Sequence, residues 1–155
     1  MAKKPAIGIG VDSFIKLITE GYYYVDKTEL ITELVPQSPE VALFTRPRRF
    51  GKSLAMSMLA EFFDITKKEE NAHLFDGLKI SEYPEICREY QNAYPVVSLS
   101  FKEVYGDSAE GALSALRKLI AKLYIAAENI PSSRSEKPSS KRLLSQYRIK
   151  KKRYK

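Results

Sequence analysis

The sequence predicts an α/β fold in which helices flank a parallel sheet. Residues 41–44 are a short apolar run between turn signals, and residues 94–101 alternate apolar side chains with serine, as half-buried strands do. Between these segments, apolar residues recur at helical spacing over residues 52–64, and we expect Glu61 and Asp64 on the polar side of this helix. Two strands separated by a helix need a crossover connection, so we expect them to lie parallel in one sheet.

Further helices are expected on either side of the two strands. Residues 12–20 read as a short amphipathic helix, and after an aromatic turn residues 28–35 read as a second helix, which the prolines of the sequence PQSP should stop. Residues 65–94 are mixed in composition and indicate one or two short helices. Residues 108–129 have an apolar stripe, which predicts a helix that covers one face of the sheet.

The composition indicates a globular protein with a strongly basic C-terminal segment. The chain has 155 residues, 44% of them apolar, which is enough for the core of one domain. Residues 132–155 contain ten basic and one acidic residue, a net charge of +9, whereas residues 1–131 have a net charge of −2. We therefore expect one domain over residues 8–130 and a mobile basic tail over residues 131–155.

The sequence offers little support for a membrane segment, a metal centre or a catalytic thiol. No apolar run is long enough for a transmembrane helix or a signal peptide, so we expect a cytoplasmic protein without a membrane partner. Cys87 and His73 are the only residues of their types, and no typical metal-ligand or nucleophile spacing surrounds them. We expect both to be structural and predict no catalytic residue.

The clearest functional motif is TRPRRFGKS at residues 45–53. A phosphate-binding loop needs inward N–H groups, a lysine for the outer phosphates, a hydroxyl for Mg²⁺ and a helix N-terminus. The end of the motif satisfies the pattern G-x-x-x-x-G-K-[ST], but an arginine stands in place of the first glycine, where the following proline should limit the conformational cost. The motif predicts an ATP site, with Mg²⁺ on Ser53, formed by Arg46, Pro47, Arg48, Arg49, Phe50, Gly51, Lys52 and Ser53.

Two other interpretations remain open. The loop arginines and the basic tail suit the phosphate backbone of a nucleic acid, with no nucleotide site at all. Such binding by the tail should fall steeply with salt and survive Lys52→Ala. The third interpretation is a non-functional remnant that folds poorly, for which the expected sign is the absence of cooperative unfolding.

Four segments resemble, in the same order, those of the bacterial and archaeal AAA-ATPase-like proteins. They are YYVDKTELI, LFTRPRRFGKSLAMSMLAEFF, LFDGLKI and YPVVSLSF. The resemblance covers about residues 8–125 and implies an incomplete P-loop NTPase domain, with Gly51, Lys52 and Ser53 at the phosphates and Mg²⁺. In that family an arginine at the first glycine position is usual, and longer members have a C-terminal PD-(D/E)XK nuclease-like domain.

The resemblance leaves the role of the DKT element, residues 26–28, undefined. For this element we favour capping of the following helix over catalysis, and for the neighbouring tyrosines, residues 22–24, packing over stacking on a base.

The family pattern also includes an acidic motif that this sequence lacks. An apolar strand ending in acidic residues would follow the third helix and hold Mg²⁺, yet residues 130–155 contain no such strand. We therefore expect the N-terminal part of a longer protein, which binds ATP and alone hydrolyses little. The sequence predicts neither the oligomeric state nor the nucleotide preference.

Overall fold

The computed structural model describes residues 5–128, without the side chains of residues 69, 103 and 126–128. The predicted basic tail lies outside the described residues, so the domain boundary at residue 130 stays a prediction. The described part contains α-helices and short 3₁₀ turns joined by irregular segments. The α-helices are α1 (Phe14–Thr19), α2 (Glu29–Gln37), α3 (Lys52–Phe63), α4 (Lys68–Asn71), α5 (Pro84–Tyr90) and α6 (Ala109–Glu128). The 3₁₀ turns span Ile65–Lys67, Ala72–Phe75, Lys79–Glu82 and Phe101–Glu103.

The helices predicted from periodicity are confirmed, with one difference at the end of α2. That helix continues through Pro36 and ends at Gln37, two residues beyond the predicted end at residue 35. Proline is tolerated there because it removes only one N–H donor from the last turn. Ser38 then closes the helix in a left-handed conformation, with its N–H donating to the carbonyl of Leu34.

The predicted parallel sheet is wrong for the part of the chain that the structure describes. Residues 40–46 and 95–100 belong to no β-ladder, and a single parallel bridge between Asp64 and Tyr94 is the sole β-pairing among residues 5–128. The side chains of Val41 and Leu43 are 84% and 83% exposed, which is the opposite of a buried strand. A strand requires a neighbour that accepts its backbone hydrogen bonds, and a local apolar pattern cannot supply one. The α/β, P-loop NTPase sheet is therefore replaced by a helical arrangement.

The core is built where α1, α2 and α3 meet the 3₁₀ turns. Phe62 of α3 lies at its centre, with its ring edge-on to Phe75 at 5.1 Å, and Phe75 in turn stacks on Phe14 of α1 at 5.1 Å. The buried apolar cluster consists of Phe14, Ile31, Met58, Phe62, Leu74, Phe75 and Ile80. Burial of these side chains fixes α3 against α1 and α2, and so fixes the helix that follows the TRPRRFGKS loop.

Hydrogen bonds hold the C-terminal end of α3. The amide of Asn92 donates to the carbonyls of Glu61 and Asp64 at 3.2 and 2.9 Å, and its backbone N–H donates to Phe62 O at 2.7 Å. The Glu61 carboxylate accepts from Lys67 Nζ at 2.7 Å and from an amide nitrogen of α4. We expected Glu61 and Asp64 on the polar side of the helix, but both are buried. The Glu61 carboxylate is satisfied by the two donors just named, and the Asp64 carboxylate accepts from the N–H and the hydroxyl of Thr66 at 2.9 and 2.7 Å.

The long helix α6 buries little of its surface against the rest of the described chain. Its described side chains, residues 109–125, are all exposed or half-buried. The preceding segment is joined to the N-terminal region by an ion pair between Lys102 and Asp12 at 2.9 Å, both of which are exposed. Within residues 5–128, no helix has the length and apolar composition needed to cross a membrane.

Candidate functional site

The loop before α3 has a backbone suited to binding an anion. Arg49 and Gly51 are both left-handed, with φ of 68° and 73°, and Phe50 between them has a negative φ. Alternation of this kind is typical of nests, in which successive N–H groups turn towards one side and can hold an anion. Gly51 is also the N-cap residue of α3, whose first N–H groups have no intrahelical acceptor. The loop therefore presents several backbone donors at the positive end of a helix.

The ammonium group of Lys52 lies in the bend of this loop. Its Nζ donates to the carbonyl oxygens of Arg46 and Pro47 at 2.6 and 2.7 Å. These bonds use two of the three N–H donors of the ammonium and join the first residue of α3 to the start of the loop. A phosphate bound here would accept from the third donor or replace a carbonyl.

A cavity of about 360 Å³ opens beside the loop. Four of the predicted site residues line it, namely Arg46, Phe50, Gly51 and Lys52. Pro47, Arg48, Arg49 and Ser53 do not line it, although all four are exposed. The other lining residues come from the segment just before α2, from α2 and α3, and from the segment before the loop, and they are Lys27, Leu30, Phe44, Ala55, Met56 and Leu59.

The lining of the cavity has two chemically distinct parts. Lys27, Arg46 and Lys52 give three cationic side chains, and no carboxylate is among the lining residues that the structure describes. The remaining side chains are apolar. A ligand with an anionic end and a flat apolar end matches this division, since small-molecule sites combine an apolar wall with a few oriented polar groups.

Lys27 is the residue of this site that sequence reasoning missed. It is the middle residue of the DKT element, which we expected to cap a helix. Its Nζ lies 3.5 Å from the position that a Cβ on Gly51 would occupy, so the ammonium reaches the TRPRRFGKS loop from just before α2. The DKT element belongs to one of the segments that carry the family resemblance, which was the available signal. Its distance from residues 46–53 along the chain did not predict the contact between Lys27 and Gly51.

The two neighbours of Lys27 are structural, though not as simple caps. Asp26 Oδ1 accepts from the N–H and the hydroxyl of Thr28 at 2.8 and 2.7 Å, and Oδ2 accepts from the N–H of Lys79 at 2.7 Å. Thr28 Oγ1 also accepts from the N–H of Ile80 at 3.1 Å. Thr28 is the N-cap residue of α2 but makes no side-chain capping bond. Asp26 and Thr28 instead join α2 to the turn Lys79–Glu82.

The pKa of Asp26 reflects these hydrogen bonds. Partial burial alone would raise the pKa of this carboxyl, but the N–H groups of Lys79 and Thr28, the Thr28 hydroxyl and the positive charge of Lys79 outweigh burial. The net result is a pKa below the usual value. Asp26 is therefore present as a carboxylate that accepts at both oxygens.

The tyrosines before the DKT element lie outside the cavity lining. The ring of Tyr24 packs edge-on against Phe14 at 5.5 Å, and burial raises the pKa of Tyr24. Its hydroxyl oxygen accepts a long hydrogen bond of 3.4 Å from the N–H of Lys27. Tyr24 therefore has the packing role that we favoured.

Cys87 and His73 form no recognisable chemical site. The Cys87 thiol donates to the carbonyl of Ile80 at 3.3 Å, and burial, followed by the charge of Glu85, raises the pKa of this thiol. His73 lies in the turn Ala72–Phe75. Among residues 5–128, no cluster of three or more histidine, cysteine or carboxylate side chains has the geometry to hold a metal ion.

We expect Cys87 to react slowly with Ellman's reagent. A raised pKa leaves little thiolate at pH 7, and the thiolate is the nucleophile. The rate should be about 3- to 10-fold below that of a free cysteine and should rise to the free value in denaturant. A native rate as fast as that of glutathione would contradict the half-buried placement.

Comparisons with known proteins agree with the resemblance seen in the four segments. The model of the AAA-ATPase-like family, described as "Predicted AAA-ATPase", matches residues 8–155. A protein of Azotobacter chroococcum mcd 1, described as an uncharacterized protein in the vnfD 5′ region, is 42% identical over 95 residues, which are 60% of this chain and 16% of that protein. No solved structure matches the chain. Because the family model covers most of its length, the chain belongs to the AAA-ATPase-like family.

Proposed function

We propose that this protein binds a nucleoside triphosphate, ATP in the first instance, together with Mg²⁺ at residues 46–53. The observation that supports this best is the position of Lys52. Its ammonium lies in the bend of a loop with an anion-binding backbone, at the N-terminus of α3 and beside a cavity with a cationic lining. Family membership agrees with a nucleotide ligand, since the family is described as a predicted AAA-ATPase.

The residues have distinct roles in this proposal. The N–H groups of residues 48–53 and the ammonium of Lys52 bind the phosphates. The base lies against the apolar wall formed by Phe44, Leu30 and Leu59, which are among the lining residues. The cavity of about 360 Å³ is within the range of small-ligand sites. Arg46 adds a further positive charge at the mouth.

Ser53 is the residue that would hold Mg²⁺. It is exposed in the first turn of α3, and no hydrogen-bond partner of its hydroxyl is found among the described residues. One hydroxyl is a sufficient protein ligand for this ion, because Mg²⁺ keeps several waters and binds mainly through the phosphates. When bound, the ion would neutralise phosphate charge, while Lys52 and the loop N–H groups hold the phosphates in position.

The proposal concerns binding rather than turnover. The lining of the cavity, as far as the structure describes it, offers no carboxylate that would position a water molecule. The chain matches only 16% of the length of its relative from Azotobacter. Hydrolysis by the whole protein is therefore a separate proposal, which the name of the family suggests and which needs its own assay.

Titration of a fluorescent ATP analogue with Mg²⁺ tests the proposal. We expect Lys52→Ala to weaken binding by about 10- to 100-fold, because a charge-assisted contact to phosphate is lost. The matched control is Lys68→Ala, which removes an exposed lysine in α4, beyond the far end of α3. Equal affinities for wild type and Lys52→Ala would contradict the proposal.

A parallel titration with a short DNA duplex separates nucleotide binding from nucleic-acid binding. The side chains of Arg48 and Arg49 are exposed, as binding to the phosphate backbone of a nucleic acid would require. Binding of a short DNA duplex through arginines and the basic tail should weaken steeply between 50 and 200 mM salt and should be unaffected by Lys52→Ala. Nucleotide binding should depend on Lys52 and survive deletion of residues 132–155.

A further inference from the structure

We propose that Lys27 is a second phosphate-binding lysine of the nucleotide site, and that Asp26 and Thr28 hold it in position. This inference rests on the proposed function, because it assigns a residue to the same site. It also gives the DKT element a role, with one residue that contacts the ligand and two that position it.

The first argument is the placement of the ammonium group. Lys27 Nζ lies 3.5 Å from the position of a Cβ on Gly51, and Lys27 lines the cavity together with Lys52. The ammonium of Lys52 already donates to two loop carbonyls. Lys27 Nζ, in contrast, has no hydrogen bond or ion pair to any group that the structure describes. Its donors are therefore available to an anion bound at the loop.

The second argument is electrostatic. Lys79, whose N–H donates to Asp26, has a carboxylate partner in Glu29 at 2.6 Å. Lys27 instead shares a cavity lining with Arg46 and Lys52, and no carboxylate lines that cavity among the described residues. Like charges that share one cavity repel each other, and an anion bound among them removes that repulsion. A bound polyanion would therefore stabilise the three cationic side chains in one cavity.

The third argument is that the residues on either side of Lys27 are fixed. Asp26 accepts hydrogen bonds from Thr28 and from the N–H of Lys79, and Thr28 accepts from the N–H of Ile80. Thr28 is fully buried, whereas Lys27 is exposed. Both neighbours are thus anchored to the turn Lys79–Glu82, which leaves the side chain at position 27 to extend to the loop.

The chemistry of lysine suits the outer phosphates. An ammonium is a compact charge with three donors on a flexible stem, and it binds phosphate as a point charge. With Lys52 in the bend of the loop and Lys27 beside Gly51, two ammonium groups would approach one phosphate chain. The ligand class is therefore a polyphosphate, either within a nucleotide or free.

Equilibrium binding of Mg²⁺-ATP and of inorganic tripolyphosphate, measured by calorimetry on the full chain, tests the role of Lys27. We expect Lys27→Met to weaken the binding of both ligands by about 10-fold, since one charged contact to phosphate is lost. Lys27→Arg keeps the charge and should bind within about 3-fold of wild type. Lys68→Met, with the same change of charge at a lysine beyond the far end of α3, should bind as wild type does.

The outcomes separate this inference from the proposed function. If Lys27→Met binds both ligands like wild type while Lys52→Ala does not, the inference is overturned and the proposed function stands. If wild type binds neither ATP nor tripolyphosphate, both are overturned. Thermal unfolding distinguishes a structural role: Lys27→Met should unfold at the wild-type temperature, and a marked decrease would overturn the inference by showing that Lys27 supports the fold.

Discussion

Phe62→Ala is expected to lower the free energy of unfolding by about 3–5 kcal/mol, the usual cost of truncating a fully buried phenylalanine. Phe62 has no exposed surface, and its ring contacts those of Phe63 and Phe75, both at 5.1 Å. Since small domains have only about 5–15 kcal/mol of stability, the variant should be partly unfolded at moderate urea. Urea unfolding followed by circular dichroism measures the difference.

Phe101→Ala is the matched control for Phe62→Ala. Phe101 is 62% exposed, so its truncation should change the free energy of unfolding by no more than about 0.5 kcal/mol. The comparison also tests the correction of the predicted strand, because a strand over residues 94–101 packed in a sheet would bury Phe101. A similar loss of stability in the two variants would contradict the arrangement described.

The sequence predicted the helices better than the pairing of strands, for a physical reason. A helix such as α3 closes its hydrogen bonds within itself, so its apolar spacing is a sufficient local signal. A strand needs a neighbour from elsewhere in the chain, and the segment at Val41 and Leu43 finds none among the described residues. The same apolar residues therefore predict a strand in one context and an exposed segment in another.

The buried polar residues show a second limit of local patterns. Glu61 and Asp64 were placed on the polar side of α3, since a carboxylate usually faces water. The Asp64 carboxylate accepts from the N–H and the hydroxyl of Thr66, two residues along the chain. The Glu61 carboxylate accepts from Lys67 and from an amide nitrogen of α4, ten residues away, which reaches it only once the chain has folded.

The candidate site was predictable as far as its motif extended. Residues 46–53 were identified because a phosphate loop is one continuous segment, and its left-handed Arg49 and Gly51 agree with that interpretation. Lys27 precedes α2, and only the folding of the chain brings it beside Gly51. A continuous sequence motif does not include residues that reach a site from a distant part of the chain.

Asp26→Ala is expected to lower the free energy of unfolding by about 2–4 kcal/mol, because three donors lose their acceptor and two of them belong to the fully buried Thr28. Asp26→Asn should lose less, since its amide oxygen still accepts from Thr28 while its NH₂ group cannot accept from the N–H of Lys79. Asp76→Ala, at an exposed aspartate, is the control and should change little. Urea unfolding at pH 7 ranks the variants.

The pH dependence of the same variants tests the state of the carboxyl group. Because the pKa of Asp26 is lowered in the folded protein, its contribution to stability is complete above the unfolded pKa of about 3.9 and is lost as the pH falls through the folded value. The difference in the free energy of unfolding between wild type and Asp26→Ala should be constant from pH 7 to about pH 5 and should narrow below about pH 4. A difference independent of pH would contradict the assignment.

Asp26 should also influence ligand binding, but only through Lys27. If Asp26 positions that lysine, Asp26→Ala should weaken Mg²⁺-ATP binding at temperatures where the variant is folded. The double variant Asp26→Ala/Lys27→Met should then bind no more weakly than Lys27→Met alone, because the positioning residue has nothing left to position. Additive losses would mean that Asp26 acts on the site by a separate route, since independent effects on binding free energy sum. The double-mutant cycle thus separates the contact made by Lys27 from the anchoring provided by Asp26 and Thr28.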